Sequence, residues 1–157
     1  MSSGEEKLLK ISKIKEGTVI DHIPAGKALK VLSVLRIDRG CNHTVSIGIN
    51  IKSKKLNHKD VVKIESRFLE KNELDKISLV APDATISIIR DYEIYEKFRV
   101  ELPDSVVGII NCNNQNCITN SGEPVPPEFK VKSKKPLVLT CVYCERNMGE
   151  GEVHSLL

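Results

Sequence analysis

The strongest constraint on what this chain can fold into is a set of four cysteines near its C-terminus. They read Cys112-Asn113-Asn114-Gln115-Asn116-Cys117, then Cys141-Val142-Tyr143-Cys144. The pattern is C-x4-C, a gap of 23 residues, and C-x2-C. Each close pair fits a tight turn, and the gap is long enough for a strand, a turn and a return strand. Four thiolates so spaced suit one tetrahedral Zn²⁺ per chain. A site closed by four protein ligands has no open position for water or substrate, so the metal is expected to be structural. It would replace a hydrophobic core that so short a module cannot build for itself. Two disulfides are the competing use of the same residues, and they belong to an oxidising compartment. The opening residues, Met1-Ser2-Ser3-Gly4-Glu5-Glu6, lack the apolar region of a secretory signal, so a reducing cytoplasm is the expected setting. A redox reading of Cys141 and Cys144 leaves Cys112 and Cys117 unexplained. Cys41 stands outside the set and reads as a small apolar side chain beside a helix end.

Upstream of the cysteines the hydrophobic pattern changes period several times. Residues 8–14 and 18–23 read as strands, punctuated by Gly17. Pro24 is placed as an early helix residue, where its missing N–H is harmless. Ala28, Val31, Leu32 and Leu35 recur at helical spacing, and Gly40 is the expected stop. Residues 44–51 give the clearest strand, with Val45, Ile47, Ile49 and Ile51 alternating. A polar turn at 53–58 leads to a strand over 60–65, with Val62 and Ile64 opposed to Val61, Lys63 and Glu65. Asn72 is the expected N-cap of a helix carrying Leu74 and Ile77 that ends before Pro82. Residues 85–89 read as a strand, and 92–100 as another or as its continuation. The order β-α-β-β-α-β plus one strand is that of an α+β, ferredoxin-like domain, an antiparallel sheet with two helices on one face. Leu102-Pro103-Asp104 breaks the pattern and sets the expected boundary, giving domains 1–102 and 103–157. Short strands at 106–110, 129–131 and 137–140, with a turn at Ser121-Gly122-Glu123-Pro124, make the second a small all-β zinc ribbon of rubredoxin-like type.

Composition narrows the function. A net charge of +3 is too small to imply a polyanion partner by itself. Trp is absent and aromatics are 4%, which argues against base-stacking platforms. No apolar run approaches the roughly 18 residues of a membrane span. His22, His43, His58 and His154 are scattered, and no paired carboxylates or open metal site suggest catalysis.

Several stretches together carry a resemblance. They are Gly17-Thr18-Val19-Ile20-Asp21-His22-Ile23-Pro24, Lys59-Asp60-Val61-Val62-Lys63-Ile64-Glu65, Ala81-Pro82-Asp83-Ala84-Thr85 and Tyr92-Glu93-Ile94, followed by the cysteine set. Nearly the whole chain resembles the regulatory chain of aspartate carbamoyltransferase. The resemblance implies a non-catalytic subunit of an enzyme of pyrimidine biosynthesis. Such chains pair as homodimers and bridge catalytic trimers. Their first domain binds CTP and ATP at one site, with UTP acting alongside CTP, and their zinc domain docks on the catalytic chain. By matching position, the resemblance implies a nucleotide site of Asp21, His22, Lys63, Tyr92, Ile94 and Lys97, with Ile11, Ser12, Ile14, Val19, Ser87 and Ile89 around them. It implies an interface at Asn114, Asn116 and Glu145. Ser12 and Ser87 depart from better-known members of the family, which carry Glu and Asn there.

The residue chemistry fits this reading in part. Lys63 and Lys97 supply point charges for a triphosphate, and His22 meets phosphate best when protonated. No Gly-rich phosphate loop is present, so the site would lie on a sheet. Lys97 has the opposite strand parity from Tyr92 and Ile94, and joins them only past a bulge or at a strand end. Each residue also has a plainer use. A lone strand Lys is usually solvated, Asp21 and His22 suit a turn or helix start, and Asn114 and Asn116 suit turns beside ligands. Lys130, Lys132, Lys134 and Lys135 read as a solvated face. A zinc-ribbon nucleic-acid-binding protein is the alternative function, favoured by that basic run and opposed by the weak overall charge. The expected dimer surface is the exposed strand at 44–51.

Overall fold

The computed structural model describes residues 13–54 and 56–157. The chain divides into two compact units between Val100 and Glu101. In the first unit, β1 (Gly17–Pro24), α1 (Ala28–Val34), β2 (Val45–Ser53), β3 (Asn57–Glu65), α2 (Lys71–Val80), β4 (Thr85–Arg90) and β5 (Glu93–Arg99) follow in order. The sheet order is β2-β3-β1-β4-β5, with antiparallel pairing throughout. This is the α+β, ferredoxin-like arrangement with one added edge strand. Of the strand expected over 8–14, residues 8–12 lie outside the described residues. Lys13 and Ile14 precede β1 without belonging to it.

The two sheet faces differ in chemistry because strand residues alternate. Ile20 pairs with Val62 and Ile86, and all three are essentially inaccessible. Together with Ile64, Ala28, Val31, Leu35 and Ile77 they form the core on the side covered by α1 and α2. Val19 pairs with Lys63 on one side and Ser87 on the other, on the opposite face.

Three helix signals are replaced by contacts from elsewhere. Pro24 is not in a helix. It ends β1 opposite Lys59, and α1 starts at Ala28. Asp60 on β3 caps that start, its Oδ2 accepting the N–H of Gly26 at 2.9 Å and of Ala28 at 3.0 Å. Gly40 does not stop α1. Arg36 takes the left-handed position at φ 57°, with Arg36 N–H donating to Ser33 O at 3.0 Å and Ile37 N–H to Leu32 O at 2.9 Å. That is a Schellman ending with Arg where Gly is usual. Asn72 is not the N-cap of α2. Glu70 holds that place, its N–H donating to the Glu73 carboxylate at 3.0 Å, and Arg67 pairs with the same carboxylate.

The second unit holds a four-stranded antiparallel sheet in the order β6 (Ser105–Val107), β7 (Glu128–Lys134), β8 (Leu137–Cys141), β9 (Asn147–Gly149). A 3-10 turn at Ile118–Asn120 and a C-terminal helix, α3 (Glu150–Leu156), complete it. The expected strand over 106–110 is shorter because Gly108, at φ 70°, turns the chain towards Cys112. The sequence pattern gave no sign of β9 or α3. Phe129, Leu139, Met148 and Val153 form the small core. Among the described residues no helix is long and apolar enough to cross a membrane.

Candidate metal centre and sheet-face site

The four cysteines meet in space. Cys112 and Cys117 flank the first knuckle, and β8 ends at Cys141 to begin the second. The Cys112 and Cys144 sulfurs are 3.6 Å apart, those of Cys117 and Cys141 are 3.7 Å apart, and all four lie within 4.8 Å of one another. A tetrahedron with metal–sulfur bonds of about 2.3 Å has edges of about 3.8 Å, so the set fits one ion. The cysteines are buried except Cys144, which is half-buried. Burial pushes the Cys112 thiol up to about 12. Burial acts the same way on Cys144, yet the Arg146 N–H and the Asn114 side chain hold it down to about 6. Four sulfurs gathered in this way suit a soft or borderline cation, whose binding displaces the remaining thiol protons.

Short polar contacts shape the knuckles. Thr119 Oγ1 donates to Cys117 Sγ at 3.3 Å, and Asn120 Nδ2 donates to the carbonyls of Cys112 and Asn114, each at 2.8 Å. Asn113 Nδ2 donates to Glu152, tying the first knuckle to α3. Asn114 Oδ1 accepts the Asn116 N–H at 3.0 Å, and Glu145, at φ 61°, donates its N–H to Cys141 O at 2.9 Å. Asn114 and Glu145 thus serve the turns, while Asn116 and Glu145 are solvent-exposed.

In the first unit, pairing aligns Lys63, Val19, Ser87 and Lys97 in one row across β3, β1, β4 and β5. A bulge decides whether the next residues join it. Ile88 pairs with Glu96 but Ile89 pairs with Ile94, so Tyr95 is the extra residue of β5. That slip brings Ile94 to the face of Ser87, Ile89 and Lys97, despite their parity in the sequence. Ile14, Ser87 and Ile89 are buried, whereas Tyr92 and Ile94 are exposed. Tyr92 follows Asp91 in a two-residue hairpin turn with both φ positive, and its N–H donates to Lys15 O at 3.0 Å. Ile11 and Ser12 lie outside the described residues.

At the other end of the face, Asp21 and His22 sit in a bulge of β1 opposite β3. His22, at φ 58°, donates its N–H to Asp21 Oδ1 at 2.6 Å, and its Nδ1 lies 3.1 Å from Thr85 Oγ1. Lys59 Nζ is 2.8 Å from Asp21 Oδ1. Burial alone would raise the Asp21 carboxyl, but the Lys59 bond, the His22 N–H and the Lys59 charge outweigh it and hold it below its ordinary value. Burial lowers the Lys63 ammonium, and Asp21 pulls it back up. Lys59 is the residue that sequence reasoning missed. It lies in the quoted Lys59–Glu65 stretch, but its partner is on another strand. The face sets the buried Lys59 and Lys63 and the exposed Lys97 beside an apolar rim, an arrangement suited to an organic anion.

A mixed α+β domain carrying such a face, followed by a small module with four clustered cysteines, defines a two-domain protein with a candidate anion-binding face and a candidate metal centre. Comparison with known proteins makes this specific. Residues 9–101 match the aspartate carbamoyltransferase regulatory chain, allosteric domain, and residues 104–154 match the metal binding domain of the same chain. The regulatory chain of Thermoplasma volcanium is 65% identical over 149 residues, covering 95% of this chain and 98% of that one. That of Thermoplasma acidophilum is 60% identical over 148 residues, covering 94% and 98%. That of Pyrococcus abyssi is 56% identical over 146 residues, covering 92% and 95%. The chain belongs to the aspartate carbamoyltransferase regulatory chain family. It is a regulatory chain with an allosteric and a metal-binding domain, and not the catalytic subunit.

Proposed function

We propose that residues 1–102 bind CTP and ATP, with UTP alongside CTP, and that residues 103–157 hold one structural Zn²⁺ and dock on the aspartate carbamoyltransferase catalytic chain. The observation that carries the nucleotide part is the β5 bulge, which puts Ile94 and Lys97 on one face with Lys63, Val19 and Ser87. Lys63, Lys97 and His22 meet the phosphates. Ile14, Val19, Ile89, Tyr92 and Ile94 hold the nucleoside, with Ile11 and Ser12 contributing from the preceding segment. Ser87 is short, so it leaves room in the middle of the row and shifts base selectivity. Asp21 orients Lys59 and His22.

In the second domain, zinc fixes the two knuckles so that Asn114, Asn116 and Glu145 face the catalytic chain. The chain acts by linkage in the cytoplasm, within pyrimidine biosynthesis. Nucleotide favours one quaternary state of the assembly over another, and that preference shifts activity at a distant site. A homodimer formed through β2 bridges catalytic trimers.

Sedimentation velocity of this chain mixed with its own catalytic chain, with zinc and after zinc removal, tests the assembly. A large complex that needs zinc supports the proposal, and no complex under either condition overturns the bridging role. Titration with CTP then tests the nucleotide face. Lys63→Met should weaken binding by roughly tenfold or more, the scale of one lost charge-assisted hydrogen bond. Unchanged affinity in that variant removes Lys63 from the site.

A further inference from the structure

Asp60 is a fully buried carboxylate that the nucleotide face does not use directly. Its Oδ2 accepts the Gly26 and Ala28 N–H groups at the start of α1, and its Oδ1 accepts the Asn50 N–H at 2.9 Å. Asn50 lies in a bulge of β2, at φ 59°, where Gly48 pairs with Val61 and Ile51 with Lys59. On the other side of β3 the β1 bulge lies at the same level, with Ile20 against Val62 and Ile23 against Asp60. The left-handed residue of that bulge is His22. Lys59, next to Asp60 and pointing to the opposite face, holds Asp21 in the same bulge. Two adjacent β3 residues thus hold the irregular stretches of both neighbouring strands. A buried carboxylate that loses a donor is costly, so these backbone groups are constrained to move together.

We propose that Asp60 is a positioning residue of the nucleotide face that couples it to the β2 edge. The inference rests on the nucleotide reading above. Ordering of Asp21, His22 and Lys59 by a bound triphosphate fixes the β3 backbone at Lys59-Asp60. Asp60 passes that order to Asn50 in β2 and to the first turn of α1. Among the described residues β2 pairs on one side only, so its outer edge is where the change would reach a second copy of this chain.

The test is amide hydrogen exchange on the zinc-loaded full chain, with CTP as the probe and its affinity measured separately. CTP should slow exchange at Asn50, Gly26 and Ala28 by about fivefold or more, the lower range of measured couplings. CTP binding with no change at these amides overturns the proposal, and this arm needs no variant. Asp60→Asn keeps the shape but gives up one acceptor. Without ligand it should speed exchange at Asn50 and His22 while leaving β4 and β5 unchanged. With CTP bound, the Asn50 response should be lost. A uniform rise across the sheet, or a response at Asn50 that survives the substitution, shows a merely structural role and overturns the proposal. Failure of the unsubstituted chain to bind CTP overturns the nucleotide reading and this inference with it.

Discussion

At the scale of single residues, backbone conformation and buried charge set the tolerances of this chain. Gly17 opens β1 at φ 143°, and a Cβ there would meet the Ile64 carbonyl oxygen at 2.1 Å. Gly17→Ala should therefore lower unfolding stability by about 2 kcal/mol or more, read from urea midpoints, because both strain and contact oppose the methyl group. Asp21 gives a pH signature. Its folded-state pKa lies below the ordinary aspartate value, so the stability it contributes is present above that ordinary value. It is lost as pH falls from there through the folded-state pKa. Asp21→Asn should flatten this part of the acid limb in melting temperature measured from pH 5 to 2, whereas an unchanged limb would remove Lys59 and His22 as its stabilisers. The parity of Lys97 against Ile94 was legible in the sequence, as was the need for a bulge to unite them. Which residue bulges was not, since Tyr95 is displaced only by pairing with β4. Arg90 lies over the rings of both Phe68 and Tyr95, at 4.7 and 5.1 Å, and so gives the displaced side chain a partner.

At the scale of elements, β2 has the strongest alternation in the sequence, yet none of its residues is buried. Ile47 and Ile49 are 42% and 54% exposed on an edge strand. An exposed apolar edge is a liability unless another strand or chain covers it. For the homodimer proposed to form through β2, Ile47→Glu should shift the chain to monomer in sedimentation equilibrium while leaving its circular dichroism unchanged, and an intact dimer would place the contact elsewhere. β5 is the opposite case. It is an edge strand interrupted by a bulge and carrying Glu93, Glu96, Lys97 and Arg99, features that discourage edge-to-edge pairing. The helix stripe on α1 was readable because Ala28, Val31, Leu32 and Leu35 are all buried. Its ends were not, because Asp60 and the left-handed Arg36 determine them.

For the whole molecule, the two units depend on different sources of stability. The first has a sheet core covered by two helices, whereas the second gathers four thiols beside a small core. Removing the metal with a strong chelator should therefore abolish exchange protection in β7 and β8 while the amides of β1 and β3 keep theirs. Equal loss in both units would show that the metal supports the entire chain. Because cysteine thiols must shed their protons to bind, metal loss should also be promoted by acid.

The sequence by itself determined the four-cysteine set, the order of strands and helices from β1 to β5, and the faces of the central strands. These are local properties, encoded in spacing along the chain and in the period of apolar residues. Tertiary structure alone decided the Lys59–Asp21 pair, the capping of α1 by Asp60 and the bulge that aligns Ile94 with Lys97. Each of these depends on the register between strands distant in sequence, and register is settled by how whole faces pack rather than by any one segment's preferences.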